Sequence, residues 1–116
     1  MERGIHQPAR RASPAMRAVI HLLLHALIPA AVAGIAYRER FWRAFGIMVA
    51  TMLVDLDHLL ANPIFDPCRC SIGYHPLHTW PAILVYVALV VPKRTRLIGI
   101  GLLIHMALDQ VDCWMM

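Results

Sequence analysis

The stretch LVDLDHLL at residues 53–60 decides how this chain is interpreted, because it sets two carboxylates and an imidazole into an otherwise apolar run. An Asp at the centre of a membrane helix costs about 2.5 to 3.5 kcal/mol, so Asp55 and Asp57 need compensating partners. Asp beside His is a suitable donor pair for a divalent metal. The stretch therefore predicts a metal site, provided that other parts of the chain bring ligands to the same place.

The composition indicates an integral membrane protein. Hydrophobic residues make up 59% of the 116 residues and charged residues only 16%, which is too little polar surface for a soluble domain of this size. The net charge of +4 is nearly all Arg between apolar runs, so we expect contact with lipid headgroups and no binding of nucleic acid. Cys68 and Cys70 are too close for an easy bridge and Cys113 is distant, so no disulfide framework is expected and the redox compartment stays open.

The apolar runs predict an all-α fold, namely a membrane-embedded up-down bundle of about four helices. Residues 1–17 are expected to form a flexible basic tail, and residues 18–116 a single four-helix transmembrane domain. The predicted helices are 18–37, 44–61, 81–91 and 97–114, with basic turns at 38–43 and 92–96. An irregular loop at 64–80, between the second and third helices, is expected to carry ligands, because Pro and Gly residues interrupt it.

The up-and-down order of the helices predicts that the His and Asp side chains meet near one membrane face. They occur early in the first helix, late in the second, in the loop after it and late in the fourth. Residues three or four apart share a helical face, so each helix turns most of its polar residues to one side. Asp57 is the exception, since two residues turn an α-helix by about 200°, and we expect it beside the ligands.

These positions supply the predicted ligands of a divalent metal. The ligand set is His25, Asp55, His58, His75, His78, His105 and Asp109, with His21 and Asp112 as further candidates and Arg69 as a candidate contact to an anionic headgroup. Mixed His and carboxylate ligands indicate Zn first, with Mn or Fe as alternatives. So many candidates suit one or two ions, about 3.5 to 4 Å apart when paired. The catalytic carboxylates are expected to be Asp57 and Asp109, which would orient or deprotonate a metal-activated water.

The same residues also admit structural roles. The stretch 53–60 could form a polar cluster between helices, and His105 could simply hydrogen-bond Asp109. His21 could meet water at the membrane interface. Arg69 could anchor the loop to lipid headgroups.

Three motifs carry a resemblance to a known family. They are Asp55-x-Asp57-His58, His75-x-x-His78-Thr79 and His105-x-x-x-Asp109, in that order after an early His. With them the chain resembles the predicted membrane-bound metal-dependent hydrolases of bacteria. Over residues 21–114 it is similar to a family of small bacterial membrane proteins of unknown function. More distantly, the order of ligands is similar to that of the zinc-dependent phospholipase C and single-strand nuclease group, whose trinuclear zinc sites cleave phosphodiesters.

The resemblance implies metal roles for particular residues and a location in the bacterial inner membrane. The residues so implied are Asp55, His58, His75, His78, His105 and Asp109, with His25 in the place of the early His. The chain departs from the hydrolases at residues 75–77, where His-Pro-Leu stands in place of His-Arg-Gly. Arg69 would then have to supply the basic contact to a phosphate.

Three functions are compatible with this pattern. The first is a membrane-embedded metal-dependent hydrolase that acts on a phosphoester of a lipid or other amphiphile, because the site lies at headgroup depth. The second is a metal- or haem-binding protein without hydrolase activity, and the third is a metal-stabilised membrane scaffold. A transporter would need polar residues across the full depth of the bilayer. The expected partners are the lipid bilayer, a lipid-phosphate substrate and, for so small a bundle, a second copy of the chain.

Charge leaves the membrane orientation open. Five Lys and Arg residues lie on the side of the predicted site and six on the opposite side. The positive-inside rule does not separate these numbers. If the far tail is left out of this count, the rule weakly favours a site on the outer side of the membrane.

Overall fold

The computed structural model describes residues 13–62 and 69–115, and every regular element within these ranges is helical. The four α-helices are α1 (Pro14–Ala36), α2 (Phe41–Ala50), α3 (Trp80–Val90) and α4 (Arg96–Trp114). Three 3-10 helices, Arg38–Arg40, Thr51–Leu60 and Pro76–His78, join or extend them. The prediction of an all-α fold with four helices is therefore confirmed.

The first helix begins earlier than the sequence predicts. Ser13 caps α1, because its hydroxyl accepts a hydrogen bond from the Met16 N–H at 3.2 Å, and Pro14 occupies the first turn, where its missing N–H costs nothing. Residues 14–17 thus belong to the helix and not to the predicted tail. The remainder of that tail, residues 1–12, lies outside the described residues.

The second predicted helix, 44–61, changes its geometry half-way. Phe41–Ala50 is an α-helix, whereas Thr51–Leu60 is a 3-10 helix with three residues per turn, unusually long for its kind. Residues three apart therefore lie above one another, which gives the segment three separate faces. Its outward face is apolar and carries the exposed side chains of Leu53, Leu56 and Leu59.

The polar side chains of this 3-10 helix lie on its other two faces. Asp55 and His58 share one face, and Val54 and Asp57 share the buried face. In an α-helix Asp57 would lie almost opposite Asp55, but here the two directions differ by about 120°. Asp57 is consequently directed inward, toward the loop that follows.

The last helix, α4, is the element against which the others pack. Two glycines allow this close approach. A Cβ added at Gly99 would lie 2.8 Å from the backbone nitrogen of Val90. One added at Gly101 would lie 2.8 Å from Thr51 Oγ1 and 2.9 Å from Met48 Cα. The backbones of α3 and of the second helical segment, which consists of α2 and the 3-10 helix Thr51–Leu60, therefore run close to α4.

Two apolar clusters fill the interior. One consists of Ala33, Ala44 and Met48, and the other of Val54, Tyr86, Leu102 and Met106. The Tyr86 hydroxyl also donates a hydrogen bond to the carbonyl oxygen of Leu77 at 2.7 Å. This bond fastens the loop before α3 to the second cluster, and so fixes the position of the residues around it.

The outer surface is strongly apolar. Helices α1 and α4 are each long and apolar enough to cross a membrane, with mean hydropathy of 2.1 and 1.3. The third helix has only 11 residues, as its short apolar run predicts. Large exposed apolar side chains on these helices include Leu22, Leu27, Ile35, Leu84, Val85 and Ile98.

A disulfide joins Cys70 in the loop to Cys113 at the end of α4, with a Cα–Cα distance of 5.1 Å. The expectation of no disulfide is therefore wrong. The partners are 43 positions apart in sequence, and only the packing of α4 beneath the loop brings them together. Cys68 lies outside the described residues.

Candidate metal centre

The His and Asp side chains converge at one end of the bundle, close to the disulfide. Separate elements supply them: His21 and His25 from α1, Asp55, Asp57 and His58 from the 3-10 helix Thr51–Leu60, His78 from Pro76–His78, and His105 and Asp109 from α4. The turns at the opposite end are basic.

Four of these residues form a compact group of donor atoms. The atoms are Asp55 Oδ1, His78 Nε2, His105 Nε2 and Asp109 Oδ2, all within 4.8 Å of one another. They form a closed ring, in which Asp55 Oδ1 lies 3.2 Å from His78 and 2.9 Å from His105. Asp109 Oδ2 lies 3.0 Å from His78 and 3.3 Å from His105. Ligand atoms around a tetrahedral Zn ion, bound at about 2.0–2.1 Å, are about 3.3 Å apart. The four contacts of the ring are therefore close in length to the edges of a tetrahedral Zn site.

The ring of His78 is held in one orientation by Asp57. The Nδ1 atom of His78 lies 2.9 Å from Asp57 Oδ2, which also accepts the Leu77 N–H at 2.9 Å. An ionised carboxylate only accepts, so Nδ1 carries the proton and Nε2 is directed at the group of donor atoms. A carboxylate behind a ligating His is a common arrangement in metal sites. Both oxygens of Asp57 are engaged, because Oδ1 lies 3.0 Å from Nδ1 of His58. These contacts give Asp57 a role in positioning His78, and the catalytic role of Asp57 stays a prediction.

The surroundings of His78 favour a positive charge. Burial alone would lower the pKa of this His, but the carboxylates of Asp109, Asp55 and Asp57, which lie within 3.2 Å of its ring nitrogens, stabilise the protonated ring, outweigh burial and raise the pKa to about 10. His78 Nε2 and Asp109 Oδ2 are both buried and lie 3.0 Å apart, but the contact does not have the angles of a hydrogen bond, and neither atom has another hydrogen-bond partner among the described residues. Atoms so placed can share a proton or a metal ion.

A second group lies on the other side of Asp109. His21 Nε2 is 3.0 Å from Asp109 Oδ1, and His25 Nε2 is 3.8 Å from the same oxygen. The Nδ1 of His25 is 2.7 Å from the carbonyl oxygen of His21, and since a carbonyl only accepts, Nδ1 must carry the proton. The Nε2 of His25 is thereby left as an acceptor. The two oxygens of Asp109 thus belong to different groups of donor atoms. A carboxylate placed in this way could bind one ion with each oxygen.

His58 belongs to a third group of donor atoms, with Asp55, Asp57 and His78, and His75 stands beside it. The Nδ1 atom of His58 is 3.6 Å from Asp55 Oδ1, and its Nε2 is 3.4 Å from the Ser71 hydroxyl, a contact that the sequence did not predict. His75 is buried but joins no group of donor atoms among the described residues, because its ring stacks on His58 with 3.7 Å between centroids. Burial, and then the nearby His58, lower the pKa of His75. The structure therefore does not place His75 as a ligand.

The two remaining candidates lie away from the donor atoms. Arg69 places its guanidinium 4.5 Å from the centre of the Tyr74 ring. Asp112 lies one turn beyond Asp109 on α4 and joins none of the groups of donor atoms.

The centre is buried on one side and open on the other. The side chains of His78, His105 and Asp109 are at most 4% exposed, whereas that of Asp55 is 38% exposed. Access is therefore from the side of the 3-10 helix Thr51–Leu60. A structural metal site is normally closed, and a catalytic one keeps an accessible position.

Residues 15–116 match a family of unknown function, DUF6122, and because the match covers most of the chain, the chain belongs to that family. Neither the comparison with curated proteins nor that with solved structures gave a match. The membership agrees with the similarity to a family of unknown function and adds no support to the resemblance to the hydrolases.

Proposed function

We propose that this member of the DUF6122 family is an integral membrane protein whose His and Asp residues bind divalent metal, and that the metal centre hydrolyses a phosphoester of an amphiphile. The observation that carries the proposal is the closed ring of donor atoms from Asp55, His78, His105 and Asp109, with contacts of 2.9 to 3.3 Å. Three of these residues are buried, and an uncompensated buried carboxylate is costly. Zn is the metal that best suits the donor set, with Mn or Fe as alternatives.

The division of Asp109 between two groups favours two ions. The first ion would be held by Asp55, His78, His105 and Asp109, and the second by His21, His25 and Asp109. When bound, such ions supply a water whose pKa is lowered to about 7. Asp57 holds His78, and the exposed edge at Asp55 is where a substrate would enter.

The apolar surface of the helices supports the proposed membrane insertion. In the most apolar 18-residue stretch of α1 only 17% is buried inside the protein, and in that of α4 39%. Most of each stretch therefore needs another apolar environment. The outward leucines of Thr51–Leu60 border the open edge of the metal centre. A substrate reaching that edge from the bilayer would be amphiphilic, such as a phospholipid or a polyprenyl-phosphate type of lipid.

The disulfide indicates the orientation. Disulfides persist in oxidising compartments, so we place Cys70, Cys113 and the adjacent metal centre on the outer side of the bacterial inner membrane. The six Lys and Arg residues of the opposite end then face the cytoplasm, which the positive-inside rule favours weakly when the far tail is left out of the count.

A metal-stabilised scaffold is the second candidate. The centre ties together distant parts of the chain, and three of its four donor residues are buried as in a structural site. A protein with this function would bind the metal but would not hydrolyse a substrate.

Elemental analysis of the detergent-purified protein tests the proposal, with Asp55→Ala beside wild type and Asp112→Ala as the matched control. We expect one or two equivalents of Zn, Mn or Fe in wild type and in the control, and a loss in Asp55→Ala. The absence of metal even after reconstitution would overturn the metal centre. If the metal-loaded protein cleaves no phosphoester lipid in a substrate screen while the chelated protein unfolds more easily, the scaffold function replaces hydrolysis.

A further inference from the structure

The end of the bundle opposite the metal centre contains a basic cleft of about 330 Å³. Five cationic residues line it: Arg40, Arg43, Lys93, Arg94 and Arg96. None of the other lining residues is acidic, and Glu39, the acidic residue in the adjoining turn, lines a different cleft. Five like charges around one space repel one another, so the cleft suits an anion.

The guanidinium of Arg96 is already held in place. Its Nε donates a hydrogen bond to the carbonyl oxygen of Val90 at 2.9 Å, and an Nη donates to that of Val91 at 3.1 Å. The other four cationic side chains are exposed; Arg40 precedes α2, Arg43 lies in its first turn, and Lys93 and Arg94 come from the turn before α4. Arg side chains match the geometry of phosphate oxygens, which makes a phosphate group the best-fitting anion.

An apolar cleft of about 350 Å³ adjoins the basic one. The two share Ile47 and Ile98, and the apolar cleft continues past Ala50 to Val54 and Leu102. Among the described residues that line it, Thr51 alone has a polar side chain, and its hydroxyl donates to the Met48 carbonyl oxygen. Together the clefts form one groove between the second helical segment and α4, basic at its end and apolar along its length.

We propose that this groove binds one anionic phospholipid, with its phosphate among the five cationic residues and an acyl chain along Ile47, Ala50 and Leu102. Free phosphate would use only the basic end, whereas a phospholipid uses both parts. The groove also lies against α4, one of the two helices long enough to cross a membrane, and its basic end coincides with the start of that helix. The proposal does not depend on the metal centre.

Native mass spectrometry of the detergent-purified full chain can count bound lipid. Phosphatidylglycerol is titrated against phosphatidylcholine of the same chain length, for wild type, for the double variant Arg43→Ala/Lys93→Ala and for Ala50→Trp. Arg38→Ala removes a cation from the same turn but outside the groove, and serves as the control. Unchanged unfolding temperatures would show that the variants are folded.

We expect one phosphatidylglycerol to bind wild type and Arg38→Ala at least tenfold more tightly than phosphatidylcholine. The double variant should lose this preference. Ala50→Trp, which fills the apolar cleft, should weaken the binding of long-chain phosphatidylglycerol at least tenfold. Equal losses in Arg38→Ala would indicate general attraction to a basic surface and overturn the proposal. Displacement of the lipid by inorganic phosphate or by a short-chain phosphatidylglycerol at similar concentration would also overturn it, because the acyl chain would then contribute nothing.

Discussion

Asp57 and His78 lie 21 positions apart in sequence, yet Asp57 Oδ2 is 2.9 Å from His78 Nδ1, and both residues are buried. This contact presents the opposite nitrogen of His78 to Asp55 and Asp109. It separates two roles that the motif Asp55-x-Asp57-His58 leaves mixed. Asp55 lies among the candidate donor atoms of His78, His105 and Asp109, and Asp57 holds the imidazole of His78 from its other nitrogen.

The contact predicts the behaviour of Asp57→Asn. Metal should still bind at the same stoichiometry when it is in excess, but with about 10- to 100-fold lower affinity, because the ring of His78 loses its anionic partner. Competition titration with a metal-binding dye measures the change. Asp112→Asn, on α4 but outside the donor groups, should keep the wild-type affinity. An unchanged affinity in Asp57→Asn would contradict the positioning role.

The bridging position of Asp109 predicts different losses from the two sides of the centre. If two ions are bound, His21→Ala together with His25→Ala should remove one equivalent, and Asp109→Ala should remove both. His105→Ala should weaken the first ion and leave the second. Metal-to-protein ratios of the purified variants decide this. A wild-type ratio of one, unaffected by the His21 and His25 substitutions, would rule out the second ion.

The close approach at Gly101 predicts a large effect of one added methyl group. In Gly101→Ala the new Cβ would meet Thr51 and the backbone of Met48 at 2.8 to 2.9 Å, which should destabilise the fold by about 1–3 kcal/mol. Gly46→Ala is the matched control, since nothing lies within 4 Å of its Cβ and Ala is the better helix former by about 0.8–1.0 kcal/mol. Thermal unfolding in one detergent compares them. Equal unfolding temperatures would show that α4 packs less closely there.

The disulfide predicts sensitivity to reductants. Cys113→Ser should unfold at a lower temperature than wild type, with about 2–4 kcal/mol of stability lost, because the unfolded chain is no longer constrained by the link between Cys70 and Cys113. A reductant should bring wild type to the same unfolding temperature and leave the variant unchanged. If the reductant has no effect on wild type, the two cysteines are not bonded in the native protein.

The proposed orientation predicts which end of the bundle is accessible in intact cells. In a Cys68→Ser background, Tyr74→Cys places an exposed thiol at the end of the metal centre, and Lys93→Cys places one at the basic end. A membrane-impermeant maleimide should label the first in intact cells and the second only after permeabilisation. The reverse pattern would place the metal centre in the cytoplasm.

Local information in the sequence was enough for the helices and for the end at which the polar residues gather. Apolar runs of helical length, separated by basic turns, predict an all-α bundle, because the side chains of each run must be kept from water by the protein or by lipid. With the helices alternating in direction, His25, Asp55, His78 and Asp109 had to lie at one end. That conclusion needs only the order of the residues along the chain.

Only the tertiary structure decided which contacts each of those residues makes. The 3-10 geometry of Thr51–Leu60 turns Asp57 inward, the stacking on His58 removes His75 from the donor atoms, and the loop brings Cys70 to Cys113. Each of these features depends on contacts between segments far apart in sequence, whose distances no local pattern specifies. The same holds for Asp109, whose two oxygens reach different groups because α1 packs on one side of α4 and the loop on the other.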